Sequence, residues 1–358
     1  MRLAFLTSGR FVPSSRFRVL QFVPRLRALG HECLVLPSIP AKYDSLPLLG
    51  FRLSGLVKRW NRRRDRESLR RWDPDVVVLE RELFDDGSFD AERSLRGAVR
   101  RMVLDIDDGL FVSRPAKFAA LCAMSDHVVA GNELLAARAR TINPRVTVVP
   151  TCVDPERYTG SPTGAPPSPP GTRVLGWTGT SWNIPFLEAL RGPLAALSRE
   201  FTLELRVIAE SDRPLRRLAL ERDGVATRFV RWSEATEVAD LREFDIGLMP
   251  LPDDEWTRHK CGLKVLQYMA AGVPAVASPV GANAEIIRHG VNGWLAATPG
   301  EWTSVLRLLL SDPQPPAAVL AEARRTVHER YSVNAQLPRL LACLEAVHAS
   351  PPEAVAPG

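Results

Sequence analysis

A glycine flanked by two lysines, Lys260-Cys261-Gly262-Leu263-Lys264, runs directly into a short helical pattern, Val265 to Ala271. A loop that opens a helix presents backbone N–H groups without intrahelical partners, at the positive end of the helix dipole. That end suits an anion such as a diphosphate, and two ammonium groups add charge to the same place. A second turn of this kind is GWTGTSWN, residues 176–183, between a strand pattern and a helix pattern. There Gly179 permits close backbone approach, while Thr180, Ser181 and Asn183 are residue types that cap helices. Glu210 follows the strand pattern LELRVIA, at the strand end where a nucleotide would lie. A third group, LDIDDGL at 104–110, sets Asp105, Asp107 and Asp108 at a strand end. Aspartates there suggest a metal site at first sight, or caps for the next turn. A fourth, SGRFVPSSRFR at 8–18, carries Arg10, Arg16 and Arg18 where a helix begins. Basic groups in a first turn oppose the helix dipole, which favours an anionic partner such as a phosphate. The remaining histidines, His31, His127, His289, His328 and His348, have no matching nucleophile or acid in sequence. No GxGxxG follows the first strand, which argues against a dehydrogenase.

These groups need elements to hold them, and the chain alternates strand and helix patterns throughout. In the first half, strands are expected at 2–7, 32–36, 75–80, 102–106, 127–130 and 145–149, with helices such as 15–29 and 132–140 between them. In the second half, strands are expected at 173–177, 203–208, 227–230, 245–248 and 275–277. Helices are expected there at 184–197, 234–243, 265–271, 301–310 and 316–330, and a last helix at 333–347. Apolar runs without clean alternation fit strands buried on both faces. Repeated strand–helix units predict an α/β protein with two doubly wound parallel sheets. Ligands of such sheets bind beyond the carboxyl ends of the strands, and the cleft between two facing domains is the default active site. The stretch GSPTGAPPSPPG, 160–171, holds five prolines and three glycines and reads as a semi-rigid linker.

The chain has 358 residues, enough for two domains, and no apolar run of membrane-spanning length. Its five cysteines are scattered without a CxxC, which fits a reduced cytoplasmic protein with neither a disulfide framework nor a zinc site. The start, MRLAFLTSGRF, reads as a strand rather than a leader peptide. The net charge of +6 is unevenly placed: residues 52–72 hold nine basic and two acidic residues, a net +7, which leaves −1 for the rest. A single basic element argues for one local anionic contact and against a nucleic-acid-binding body.

The order basic loop, helix, Gly272-Val273-Pro274, strand, glycine turn and Glu285 resembles the donor-binding segment of family 4 glycosyltransferases. That resemblance implies the GT-B fold: two Rossmann-like domains facing a cleft, with the C-terminal helix crossing back to the first domain. On that reading residues 1–160, completed by 332–349, form the acceptor domain. Residues 161–171 are the proline-rich linker, 172–331 the nucleotide-sugar donor domain, and 350–358 a disordered tail. The implied reaction moves a sugar from a nucleotide-sugar to an acceptor hydroxyl with retention of anomeric configuration, in glycan, envelope or glycolipid synthesis. No protein nucleophile, cofactor or bound metal is implied; the nucleotide-sugar is a co-substrate. By the same resemblance Lys260, Gly262, Leu263 and Lys264 hold the donor diphosphate, with Gly179, Thr180, Ser181 and Glu210 beside the donor. Asp107 takes the place of a histidine that contacts the donor sugar in many members. Relatives carry two glutamates eight positions apart; here His259 and Gln267 stand in their places. Gln267 retains an amide for ribose hydroxyls. Arg10, Arg16 and Arg18 would meet the acceptor or a phosphate. Two other readings remain open: a GT-B sugar-nucleotide epimerase or hydrolase, and a non-catalytic sugar-nucleotide-binding protein.

In the basic segment, Leu53, Leu56, Val57 and Trp60 form one helical stripe, with arginines filling the other positions. Two readings stand. The helix lies on an anionic membrane surface from the cytoplasmic side, or its apolar stripe packs on its own domain.

Overall fold

The computed structural model describes residues 1–46, 48, 50–159, 168–312 and 317–351. Most of the proline-rich segment and all but the first two residues of the tail lie outside them. The chain divides into two compact units. One comprises Met1–Cys152, His259–Cys261 and the chain from Val333; the other comprises Val153–Arg258 and Gly262–Ser332.

The first unit is a six-stranded parallel sheet of β1 (Arg2–Thr7), β2 (Glu32–Pro37), β3 (Val76–Glu80), β4 (Met102–Ile106), β5 (His127–Ala130) and β6 (Val146–Val148), in the order β2-β1-β3-β4-β5-β6. Side chains alternate across the pleat. Leu3, Phe5, Val76 and Val78 enter one core with Phe22, Leu26, Leu340 and Leu344. Ala4, Leu6, Val77 and Leu79 enter the other with Phe118, Leu121 and Leu135. The C-terminal helix Val333–Ala349 is therefore part of the first unit's core, as the resemblance implied.

The second unit holds β7 (Arg173–Thr178), β8 (Leu203–Ala209), β9 (Ala226–Arg231), β10 (Ile246–Met249), β11 (Ala275–Ala277) and the short β12 (Trp294–Leu295), in the order β12-β11-β10-β7-β8-β9, all parallel. Strand order reverses between β1 and β3 in the first unit and between β7 and β10 in the second. The carboxyl ends at those two points are where doubly wound sheets take ligands.

Two helices differ from expectation. The segment after β1 is a π-helix, Ser15–Leu20, followed by a separate α-helix, Val23–Ala28. Pro24 lacks an N–H and fits only the first turn of a new helix. The segment after β7 winds as a 3-10 helix, Ser181–Leu190, with Pro185 inside it, before the α-helix Arg191–Leu197.

Candidate functional site

In the second unit the site starts from Gly262. Its φ of 69° lies in the left-handed region, and it caps the helix Leu263–Ala271. A side chain here would be strained, and its Cβ would come within 2.5 Å of Ile286 Cδ1. On the inner face of this helix Tyr268 is fully buried. Its hydroxyl accepts from Thr178 N at 3.2 Å and donates to Leu248 O at 3.1 Å, tying the carboxyl ends of β7 and β10 together. One turn earlier Lys264 leans over the end of β7. Its ammonium lies 5.2 Å from the centre of the Trp177 ring. Its stem crosses Gly179 so closely that a Cβ there would meet Lys264 Cε at 2.7 Å. The glycine of GWTGT thus makes room for a lysine, and the lysine comes to the reversal point of the sheet. There its positive charge is fixed beside the helix start, where backbone N–H groups gather.

Glu210 and Ser181 are engaged with each other. The Glu210 carboxylate accepts from Ser181 N at 2.9 Å and from Ser181 Oγ at 2.5 Å. It fills the start of the 3-10 helix as an internal anion, so a phosphate at Ser181 would have to displace it. Thr180 Oγ1 accepts from Asn183 Nδ2 at 2.8 Å. Gln267 is buried, and its amide donates to Glu237 Oε1 at 3.3 Å. Glu237, also buried, accepts from Trp232 Nε1 at 3.1 Å as well. A carboxylate therefore does stand beside Gln267, contributed by the helix Glu237–Arg242.

In the first unit a dense set of ionisable groups occupies the carboxyl ends of β1, β3 and β4. Glu80, at the end of β3, accepts from Ser8 N at 2.8 Å, Ser8 Oγ at 3.0 Å and Ser15 Oγ at 2.6 Å, which staples both ends of the 8–15 loop. Arg10 stays exposed near the start of that loop, its guanidinium 5.4 Å from the ring centre of Phe11. Arg16 is buried over Phe17. Arg18, read from sequence as an acceptor or phosphate contact, is turned inward instead. Its guanidinium forks onto Asp105 at 2.9 and 2.7 Å and donates to Val149 O at 2.6 Å. The π-helix directs consecutive side chains into the unit, and the carboxylate of Asp105 supplies the anion that the sequence pattern asked for.

Arg81 follows Glu80 with a φ of 59°, a conformation that costs a non-glycine residue about 1–3 kcal/mol. Its guanidinium sits 3.8 Å from Asp107, 3.8 Å from Asp108 and 3.9 Å from Glu82. Glu82 is bonded at 2.9 Å to Lys42, and both side chains are buried. Burial alone would raise the Glu82 carboxyl; Lys42 and Arg81 overcome it and hold the group at about 2. Asp107 behaves oppositely. Burial raises its carboxyl to about 6; Arg81 draws it down, while Asp108 and Glu80 push it up. One oxygen, Oδ1, is buried without a hydrogen bond.

The segment His259–Cys261 belongs to this unit too. The His259 ring stands edge-on to Phe111, 4.6 Å between centres. Asn132 caps its own helix by accepting from Leu135 N at 2.8 Å, and its amide donates to His259 O at 3.1 Å and Lys260 O at 3.4 Å. Cys261 packs on Gly131, where a Cβ would meet the sulfur at 2.6 Å, and donates to Asp107 O at 3.3 Å. Burial pushes its thiol up to about 12. Sequence reasoning missed Lys42, Arg81, Glu82, Asn132 and Glu237. The available signal was charge at a strand's end: VVVLE is followed at once by Arg81 and Glu82, as LDI is followed by two aspartates.

Residues 173–312 match the family model described as glycosyl transferases group 1, which covers most of the second unit. No curated protein matches the chain. Among solved structures, HepE from Anabaena in complex with UDP and glucose is 14% identical, with a TM-score of 0.66 over 97% of this chain and 100% of that one. Sucrose-phosphate synthase from Thermosynechococcus elongatus is 14% identical, with a TM-score of 0.75 over 98% of this chain and 100% of that one. Two six-stranded parallel units and these likenesses define the GT-B fold. With the group 1 domain at 173–312, the class of the protein is a glycosyltransferase.

Proposed function

We propose that the protein is a retaining glycosyltransferase that takes its sugar from a nucleotide-sugar of the UDP type and passes it to an acceptor hydroxyl in glycan or envelope synthesis, working as a peripheral protein at a membrane surface. The observation that carries the donor half is the placement of Lys264 over Gly179 and Trp177, beside the helix start at Gly262. A cation and a set of backbone N–H groups at one sheet end suit a diphosphate that gains negative charge as it leaves. The HepE complex with UDP and glucose supports a uridine donor.

In this mechanism the bond from the anomeric carbon to the diphosphate oxygen breaks as the acceptor oxygen bonds to the same face. The acceptor proton passes to the leaving diphosphate. Lys264, the N–H groups after Gly262 and the Lys260 ammonium stabilise that diphosphate; Gln267 with Glu237 serves the ribose. Asp107 accepts a hydrogen bond from a sugar hydroxyl, and its charge favours the developing oxocarbenium ion. His259 takes the position where relatives contact the sugar.

Lys264→Ala tests the reading. Transfer from UDP-glucose and donor hydrolysis should both fall roughly 10²-fold, with the melting temperature little changed. Wild-type rates in that variant would overturn it. Product analysis separates the alternatives: a glycosylated acceptor supports transfer, while free or epimerised sugar nucleotide supports a hydrolase or epimerase.

A further inference from the structure

Over its first three turns the helix Gly50–Trp72 is amphipathic in an unusual sense: its inward face is polar and apolar residues lie outward, whereas further on Leu69 enters the core. Ser54, Lys58 and Arg62 lie on the buried face. Lys58 Nζ donates to the backbone oxygens of Lys42 and Asp44 at 2.7 and 2.6 Å. Arg62 donates to Leu36 O at 2.9 Å and Thr7 O at 2.6 Å. Ser54 accepts from Leu46 N at 2.8 Å. These bonds lock the rotation of the helix. On the opposite side Leu53, Leu56 and Trp60, one and two turns apart, are 51%, 63% and 55% exposed, and Leu48 just before the helix is 98% exposed. Val57, the fourth residue of the stripe, is half-buried, whereas Leu53, Leu56 and Trp60 do not pack on their own unit.

Basic groups rim the stripe. Arg52, Arg63 and Arg64 are exposed around it, and the Arg64 guanidinium lies 4.7 Å from the centre of the Trp60 ring. Apolar side chains ringed by arginine, with a tryptophan among them, match the boundary between lipid headgroups and acyl chains. The charge bias points to the occupant: residues 52–72 carry net +7 while the rest of the chain is −1. Lys58 and Arg62 are turned inward, but Arg52, Arg59, Arg63, Arg64, Arg70 and Arg71 stay exposed on this one helix, which favours an anionic surface. Among the described residues no helix is long and apolar enough to cross a membrane.

We propose that this helix docks the protein on an anionic bilayer, with Leu53, Leu56 and Trp60 entering the headgroup layer and Arg52, Arg63 and Arg64 meeting lipid phosphates. The proposal rests on the peripheral placement given above and assigns it a surface. Full-length protein is floated with vesicles of phosphatidylcholine alone and of phosphatidylcholine mixed with phosphatidylglycerol. Binding should require phosphatidylglycerol and weaken with salt. Leu56→Ser/Trp60→Ser and Arg63→Ser/Arg64→Ser should each lose roughly tenfold or more in partition. Both pairs are exposed, so circular dichroism melting should show them folded. Binding unchanged in both variants, or no preference for the anionic vesicles, overturns the proposal. So does a concentration-dependent dimer in sedimentation that Leu56→Ser/Trp60→Ser abolishes without any vesicle binding, because the stripe would then cover a second copy. UDP-glucose titration without vesicles separates the two readings. Retained donor binding with lost vesicle binding leaves transfer standing and overturns only the docking surface; vesicle binding without donor binding does the reverse.

Discussion

Asp107 shows how a single residue's role depends on neighbours that its sequence context hides. Three aspartates at a strand end suggested metal or caps. In the folded unit Asp105 is consumed by Arg18, and Asp107 is held beside Arg81 with one oxygen lacking a hydrogen bond. Burial raises the Asp107 carboxyl to about 6, so it is an anion at neutral pH and becomes neutral just below. The sign follows from linkage. A carboxyl raised in the folded state binds its proton more readily there, so its contribution to stability falls as pH rises from 3.8 to about 6. Activity should run the other way, because the proposed role needs the carboxylate. The rate should fall below about pH 6, and Asp107→Asn should lower the plateau and remove that limb. A pH–rate profile measures both; an acid limb unchanged in the variant would assign it to another group. Gln267 is a related case. The glutamate that the family resemblance implies is a glutamine at that position, yet a buried carboxylate is present through Glu237, which lies thirty positions earlier.

At the level of elements, the first unit holds its switch-point loops with buried ion pairs. Lys42, from the loop after β2, reaches Glu82, from the loop after β3, and bonds both its carboxylate and its backbone oxygen. Removing one partner of such a pair leaves a buried charge and costs about 3–5 kcal/mol. Lys42→Met should lose stability of that order in urea unfolding, and adding Glu82→Leu should recover most of it. If the double variant is as unstable as the single, the backbone bond rather than the ion pair carries the cost. The pH dependence has the ordinary sign for a depressed carboxyl. Stability from Glu82 is present above 4.5 and is lost as pH falls toward about 2. Elements also decided the fate of the arginines at 10–18. Their spacing suggested a basic helix start facing an anion; a π-helix instead buries Arg16 and Arg18 and leaves Arg10 outside.

At the scale of the whole molecule, the chain ends are joined in one unit. Val333, Leu340, Leu344 and Val347 of the last helix are buried against Leu3, Phe5, Val19 and Phe22. Each such side chain contributes about 1.5–3 kcal/mol, comparable in sum with the stability of a domain. A chain ending at 332 should therefore lose the first unit's cooperative unfolding while the second unit still folds, read by hydrogen exchange of the two sheets. Protection of β1 and β3 in that chain would show that the helix is dispensable.

What could be read from the sequence alone was whatever depends on neighbours along the chain. Apolar runs of strand length, separated by helical patterns, are enough to specify two parallel sheets, because burial on both faces forces continuous hydrophobicity. The basic loop at 260–264 was legible for the same reason, since a helix start and its charges are contiguous. The group 1 match falls on that half of the chain. Only the tertiary structure decided where charge ends up, because an ionic partner is chosen by distance in space. Arg18 finds Asp105, Lys42 finds Glu82, and Gln267 finds Glu237 across tens of residues. The helix 50–72 makes the same point most plainly. Its stripe and its charges were visible in sequence, but which face looks outward was set by Lys58 and Arg62 binding backbone oxygens of distant loops. Burying those polar groups with partners leaves Leu53, Leu56 and Trp60 outside, while Leu69 further along enters the core.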